Sequence, residues 1–289
     1  MKYFSFSPIK GFWFTKDLVY YIKNNIDKEK IRISLDLGLT WNYAIISSKK
    51  YILRINNYEI DLNKLFKKVL KDNFIYFYDI SSLEIYPIYI SARNFYKLKP
   101  VNWYKAPTLE INGIHMHNIS NTTPWEDSYR KIRELKVSKN DKILDICTGL
   151  GYTAILSSFR GKEVVTIEKD INVLKIAEYN PWSHNLATEK IKIILENAFD
   201  ALDIFSINEF NKVIHDPPRF SLAGELYSKT FYEKIYRVLK KGGNLFHYTG
   251  SPGKHRGRNI QKGIIKRLKI TGFEIIKILK DYGIIAKKI

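Results

Sequence analysis

The stretch Asp141-Lys142-Ile143-Leu144-Asp145-Ile146-Cys147-Thr148-Gly149-Leu150-Gly151-Tyr152-Thr153-Ala154 decides how this chain is read. Ile143, Leu144 and Ile146 make an apolar run long enough for one buried strand, with Asp145 near its end. Thr148, Gly149 and Gly151 follow as a tight turn, and a helical run from Tyr152 to Phe159 begins at once. A strand, a glycine turn and a helix start bring backbone N–H groups and a carboxylate around a small polar ligand. The spacing D-x-C-x-G-x-G is not the dinucleotide fingerprint G-x-G-x-x-G, which has one more glycine and no leading acid. A strand-to-helix turn with no ligand is the alternative that the stretch alone leaves open.

Downstream, strands and helices alternate in the pattern of a doubly wound parallel sheet. Strands are expected at 163–167, 191–195, 211–214 and 244–248, and helices at about 226–239 and 259–268. A closing hairpin of 273–279 and 283–288 places an antiparallel strand at the sheet edge. Upstream, Thr123-Pro124-Trp125-Glu126 supplies an N-cap, a proline at the first helical position and a capping-box glutamate, opening a helix to about Leu135. Before it lie short β-branched or aromatic runs at 31–37, 43–46, 51–55, 74–78, 83–90 and 109–117, and an amphipathic helix at 61–70. The expected fold is therefore α/β, in two parts. Residues 1–121 form a smaller strand-rich N-terminal domain, and residues 122–289 a Rossmann-like, doubly wound, mostly parallel sheet with an antiparallel C-terminal hairpin.

Composition narrows the function classes. The chain has 289 residues, 45% of them hydrophobic, which argues against disorder and suffices for a sizeable core. No apolar run is long enough for a membrane span, and the start lacks a signal peptide's features, so a soluble, cytoplasmic protein is expected. The single cysteine, Cys147, excludes an internal disulfide and a cysteine-rich zinc site. No metal-ligand spacing such as H-E-x-x-H occurs, and no metal is expected. The net charge of +19 fits a polyanionic partner, or a composition biased towards lysine. Charge clusters at the C-terminal end, where eleven Lys or Arg from Ser251 onward face only Glu274 and Asp281.

In open α/β sheets ligands sit at the carboxyl ends of the strands, and the distinctive residues here all fall at such ends. Glu168 ends the second strand, about twenty residues past the glycine turn; Asn197 and Ala198 follow the third; Asp216-Pro217-Pro218-Arg219-Phe220 follows the fourth. After the fifth strand, which ends at Tyr248, comes Gly253-Lys254-His255-Arg256-Gly257-Arg258, glycines and cations suited to a substrate phosphate. A surface acid, a rigid proline turn and a solvated loop are the plain alternatives for these positions taken singly.

Together these residues resemble the class I S-adenosylmethionine-dependent methyltransferases. The resemblance implies that Thr148, Gly149 and Gly151 hold the cofactor's methionine end with Asp145 nearby. Glu168 would bind its ribose, and Asn197 with Ala198 its adenine. It implies that Asp216 faces both the methyl group and the acceptor, with Phe220 as a stacking wall. Arg219, Tyr248, Lys254, Arg256 and Arg258 would contact substrate. Amino-methylating members carry an aromatic directly after the two prolines, whereas here Arg219 stands there and Phe220 follows. Asp-Pro-Pro-Arg also occurs in uracil-C5 methyltransferases, which need a cysteine nucleophile; Cys147 sits inside the cofactor turn, which disfavours a covalent adduct.

A second resemblance, over Gly224–Tyr232, Leu239–Gly243 and Leu109–Ile114, is to spermidine synthases, which transfer an aminopropyl group from decarboxylated S-adenosylmethionine. Such enzymes hold a polycation, and the basic surroundings of Asp216 disfavour that. The arrangement most resembles archaeal methyltransferase-like proteins related to that group. The sequence thus points to a methyltransferase acting on RNA at nitrogen or oxygen. An aminopropyltransferase and a non-catalytic nucleic-acid-binding module are the alternatives. Oligomeric state is left open.

Overall fold

The lysine-to-isoleucine run 142–146 forms a strand because both of its faces are covered. Ile143, Leu144 and Ile146 are fully buried, and a strand enclosed on both sides needs a continuous apolar run rather than alternation. The computed structural model describes residues 2–250 and 260–289. In chain order the elements are β1 (Tyr3–Phe4), β2 (Phe12–Phe14), α1 (Lys16–Asn24), β3 (Lys30–Ile33), β4 (Asn42–Ser47), β5 (Ile52–Ile55) and β6 (Tyr58–Asp61). Then come α2 (Leu62–Lys68), β7 (Tyr76–Tyr78), β8 (Ile85–Pro87), β9 (Tyr89–Ser91), β10 (Phe95–Lys99), β11 (Thr108–Ile111), β12 (Ile114–His115) and α3 (Pro124–Leu135). The rest are β13 (Lys142–Ile146), α4 (Tyr152–Ser158), β14 (Glu163–Glu168), α5 (Ile171–Glu178), β15 (Ile191–Leu195), α6 (Ala198–Ile204) and β16 (Phe210–His215). The chain closes with α7 (Lys229–Val238), β17 (Leu239–Tyr248), α8 (Ile260–Thr271), β18 (Phe273–Leu279) and β19 (Gly283–Lys288).

Two units divide these elements. The first comprises Met1–Phe6, Glu126–Leu174 and Asn185–Ile289. Its eight-stranded sheet runs β1-β15-β14-β13-β16-β17-β19-β18. The five strands from β15 to β17 are parallel, whereas β19, β18 and β1 run antiparallel to their neighbours. The chain steps from β13 through β14 to β15 in one direction, then from β16 to β17 in the other. That reversal makes the carboxyl end of β13 the switch point, where such sheets bind ligands. Register sets the strand ends level, since Ile146 pairs with both Ile167 and His215, and Glu168 pairs with Leu195.

The second unit, Ser7–Trp125 with Lys175–His184, holds three antiparallel sheets, ordered β3-β4-β5-β6, β2-β7-β8 and β12-β11-β10-β9. Its core gathers Phe14, Leu18, Ile22, Ile33, Leu53 and Ile60 among others. Residues 175–184 are tied in by Trp13 Nε1–H donating to the Tyr179 carbonyl at 2.6 Å, and Trp182 Nε1–H to the Leu37 carbonyl at 3.0 Å.

Several boundaries differ from the sequence reading for local reasons. Residues 109–117 fold as two strands, because Asn112 and Gly113 take φ of 48° and 81° and close a two-residue hairpin. The helix expected from 226 begins at Lys229, where Ser228 caps it by accepting from the Phe231 N–H. The strand expected from 244 begins at Leu239, and its pairing with β16 is irregular before Asn244. Among the described residues no helix is long and apolar enough to cross a membrane.

Candidate active site

The turn after β13 is held by its backbone and by its neighbour strand. Cys147, Gly149 and Gly151 all take left-handed conformations, with φ of 73°, 55° and 78°. The N–H groups of Cys147 and Thr148 both donate to the Ile167 carbonyl, at 3.1 and 3.0 Å. Only glycine serves at position 151, since a Cβ there would lie 2.5 Å from Leu186 Cδ1 as well as on a left-handed backbone. At Gly149 the opposite holds, because a Cβ would meet nothing within 4 Å. The turn therefore presents open space on that side.

Three acids surround this turn, each held differently. Asp145 is fully buried on β13, where its Oδ2 accepts from the Thr166 hydroxyl at 2.8 Å and its Oδ1 has no hydrogen-bond partner. Burial pushes its carboxyl up to about 7, against that hydrogen bond. Thr166 in turn contacts the Thr148 hydroxyl at 2.6 Å, coupling the acid to the turn. Glu168, at the end of β14, accepts from the Gly149 N–H at 3.0 Å through Oε2 and from the Lys169 and Asp170 N–H groups through Oε1. Burial raises its carboxyl while those donors lower it. Asn197 caps α6, its Oδ1 accepting from the Phe199 N–H at 2.9 Å, and Ala198 is buried beside it. The Glu196 N–H donates to the Glu168 carbonyl, joining the ends of β14 and β15.

Asp216 follows β16, and its partner is a residue that the sequence reading passed over. Lys131 of α3 is almost wholly buried, with its ammonium 2.5 Å from Asp216 Oδ2 and 2.9 Å from Asp127 Oδ2. Those carboxylates hold Lys131 above its ordinary value despite its burial. Burial raises the Asp216 carboxyl, and the Lys131 ammonium acts against that rise. The same ammonium lies 4.3 Å over the Tyr248 ring, and the Tyr282 hydroxyl donates to the Asp127 carbonyl at 3.1 Å. The signal was in the sequence: Asp127, Ser128 and Lys131 share one helical face with the buried Ile132 and Leu135.

Tyr227 donates to the Pro218 carbonyl at 2.7 Å and packs edge-on to Phe220 at 5.4 Å. Phe220 stays 46% exposed and Arg219 is exposed beside it. Lys254, Arg256 and Arg258 lie outside the described residues. Beneath Asp216, His215 and His247 stack at 4.3 Å, fully buried, with Tyr232 at 3.0 Å from His247 Nε2. Among the described residues no group of three or more His, Cys, Asp or Glu is placed to hold a metal ion.

The strand order and the acids at its switch point define a class of protein, and comparison with known proteins places the chain within it. Residues 131–253 match the family model described as Methyltransferase small domain. Over 269 residues, 91% of each chain, the sequence is 46% identical to Uncharacterized protein MJ1233 of Methanocaldococcus jannaschii. A protein of the same organism, MJ1653, provisionally named a ribosomal RNA large subunit methyltransferase, is 30% identical over 109 residues, 37% of this chain and 28% of its own. Spermidine synthase from Thermotoga maritima shares the fold, with a TM-score of 0.53 at 17% identity, covering 69% of this chain and 71% of that one.

The chain is a class I S-adenosylmethionine-dependent methyltransferase. More narrowly, it belongs to the family of MJ1233. Its cofactor is S-adenosylmethionine. The residues at the switch point fit that group on two observations: the space left open at Gly149, and acceptor groups at the ends of β13 and β14 with oxygen capacity to spare.

Proposed function

We propose that this chain transfers a methyl group from S-adenosylmethionine to a nitrogen or oxygen atom of RNA. The Lys131–Asp216 pair carries the reading. A polyamine acceptor is a cation and needs unneutralised carboxylates, yet the carboxylate of this turn already holds a buried ammonium at 2.5 Å. Exposed Arg219 stands beside it. That exposed cation and the net charge of +19 suit a polyanionic acceptor. The name of MJ1653 supports ribosomal RNA as the acceptor class.

In this reading Thr148, Gly149 and Gly151 hold the methionine end of the cofactor, close to Asp145. Glu168 accepts from the ribose hydroxyls, and Asn197 with Ala198 borders the adenine. The cofactor supplies a methyl carbon on a sulfonium, so alignment accounts for most of the catalysis. Asp216, held in place by Lys131, accepts a hydrogen bond from the acceptor's N–H or O–H and aims its lone pair. Phe220 offers a face to the acceptor base, with Arg219, Tyr248, Lys254, Arg256 and Arg258 along the substrate. A covalent route to a ring carbon needs a thiolate. Cys147, the sole cysteine, lies in the cofactor turn, where enclosure holds its thiol well above its ordinary value.

The test is transfer of labelled methyl to separated RNA, protein and small-molecule fractions, with decarboxylated S-adenosylmethionine and polyamine as a parallel reaction. Label in RNA supports the proposal. Label confined to another fraction, or aminopropyl transfer at a higher rate, overturns it.

A further inference from the structure

The second unit carries a sheet face whose chemistry is unlike that of an ordinary solvated surface. In β3-β4-β5-β6 the inward residues Ile31, Ile33, Ala44, Ile46, Leu53 and Ile60 are buried, so alternation turns their neighbours outward. Register then sets the outward residues in rows: Arg32 opposite Tyr43, and Lys30, Ile45, Arg54 and Glu59 side by side across four strands. Tyr43 is 62% exposed and Ile45 48%, large apolar groups in the middle of an open face. Just before β4, Trp41 is 40% exposed.

Cations stand on these rings. The Lys30 ammonium lies 4.3 Å over Tyr43, and the Arg32 guanidinium 5.5 Å over Trp41. Arg54 is paired with Glu59 at 2.6 Å, but among the described residues no carboxylate is paired with Lys30 or Arg32. An exposed aromatic on a sheet, flanked by a cation without a counter-charge, combines the two contacts that a single-stranded nucleotide makes. The ring stacks on a base and the cation meets its phosphate. Duplex RNA hides its base faces and has no use for Tyr43.

We propose that the outward face of β3-β4-β5-β6 binds single-stranded RNA, with Tyr43 and Trp41 stacking on bases and Lys30 and Arg32 on the backbone. This rests on the reading of RNA as the acceptor and names the surface that captures it. Tyr43 and Arg32 are exposed side chains outside the folded core, so their replacement leaves the unit folded.

The experiment is fluorescence anisotropy of a short labelled single-stranded RNA of mixed sequence, and of its duplex, with the full chain across a salt series. Wild type is expected to bind the single strand more tightly than the duplex. Tyr43→Ala should lose roughly tenfold in affinity, as for the loss of one stacked base. Arg32→Gln should reduce the salt slope by about 0.7, one single-strand phosphate. Tyr20→Ala, a 65% exposed aromatic on α1, should change neither. Equal binding by Tyr43→Ala and wild type, or a preference for duplex, overturns the proposal. Methyl transfer measured alongside separates the two claims. Label in RNA with Tyr43-independent binding removes this surface and leaves the activity standing. Tyr43-dependent binding without label in RNA removes the activity and leaves the surface standing.

Discussion

Asp145 and Asp216 stand at the ends of neighbouring parallel strands, and burial raises both carboxyls, but the protein gives them different partners. Asp145 is completely buried, is bonded to a neutral hydroxyl and has no cation in contact, so its carboxyl is pushed up to about 7. Asp216 keeps 22% of its side chain exposed and has an ammonium fixed at 2.5 Å. The first is a carboxyl poised between two charge states beside the cofactor turn. The second is a carboxyl whose burial is opposed by a cation and whose direction is set from α3. What differs is one residue, Lys131, reaching one site and not the other.

Removing that residue is the most direct way to break the contrast. Lys131→Met leaves Asp216 and Asp127 without their shared cation, and breaking a buried pair in this way costs about 3–5 kcal/mol. The urea midpoint should fall accordingly, and methyl transfer should drop with it. Adding Asp216→Asn to Lys131→Met should restore part of the stability but not the activity, which a double-mutant cycle measures. A cost below about 1 kcal/mol for Lys131→Met would mean that the pair is as weak as a surface one, and the contrast would collapse.

Asp145 sharpens the comparison through pH. Its folded value lies above its unfolded one, so the folded state holds the proton longer. The stabilisation is complete below the unfolded value near 4 and is lost as pH rises towards about 7. A shift of about three units corresponds to on the order of 4 kcal/mol across that window. Asp145→Asn, which stays neutral, should remove that contribution from the pH profile, as denaturation of both proteins at a series of pH values would show. An unchanged slope would place the titration elsewhere.

Glu168 gives the next effect. Calorimetry with S-adenosylhomocysteine should show Glu168→Ala weakened about tenfold or more, the scale of losing a charge-assisted hydrogen bond. Because Glu168 also accepts from the Gly149 N–H at 3.0 Å, Glu168→Gln serves as the companion variant, keeping an acceptor oxygen for the turn. If Glu168→Ala binds as wild type does, the cofactor is not seated as proposed.

What the sequence made legible and what it hid divide along physical lines. The strands β13 and β14 were readable because burial on both faces forces nearly continuous apolar runs, and the acids beside or ending the strands stand out against those runs. Lys131 was hidden because a lysine four residues after an aspartate on a helix looks like an exposed pair. Only the covering of α3 by Tyr248 and Tyr282 turns it into a buried one. The brace from Glu168 to the Gly149 N–H depends on register between strands, which no local pattern encodes. The pairing of β1 with β15 joins Tyr3 and Phe4 to Ile194 and Ile193, and so distant a pairing leaves no periodic trace. In the second unit, Asp36 closes its own turn by accepting from Ser34 Oγ, Thr40 N–H and Thr40 Oγ1. That local chemistry is legible in the run Ser34 to Thr40 as a simple turn.

The smallest effect concerns the histidines beneath Asp216. His215 has neither ring nitrogen hydrogen bonded, and His247 uses only Nε2, towards Tyr232. Burial lowers both, His247 to about 3, and the His247 ring 4.3 Å away also opposes a charge on His215. Here the folded values lie below the unfolded one, so the sign is the reverse of that for Asp145. Their contribution is complete above about 6.5 and is lost as pH falls, because the unfolded chain takes up protons that the core refuses. Between about 4 and 6.5 the two refused protons outweigh the one that Asp145 retains, so wild-type stability should fall as pH falls through that window. His215→Phe removes one refused proton and no hydrogen bond, so it should fold and shift the balance towards Asp145. Its stability should then change little as pH falls from about 7 to 5, where wild type loses stability. A variant with the wild-type profile would show that His215 takes no part in the acid response, leaving His247 alone to oppose Asp145.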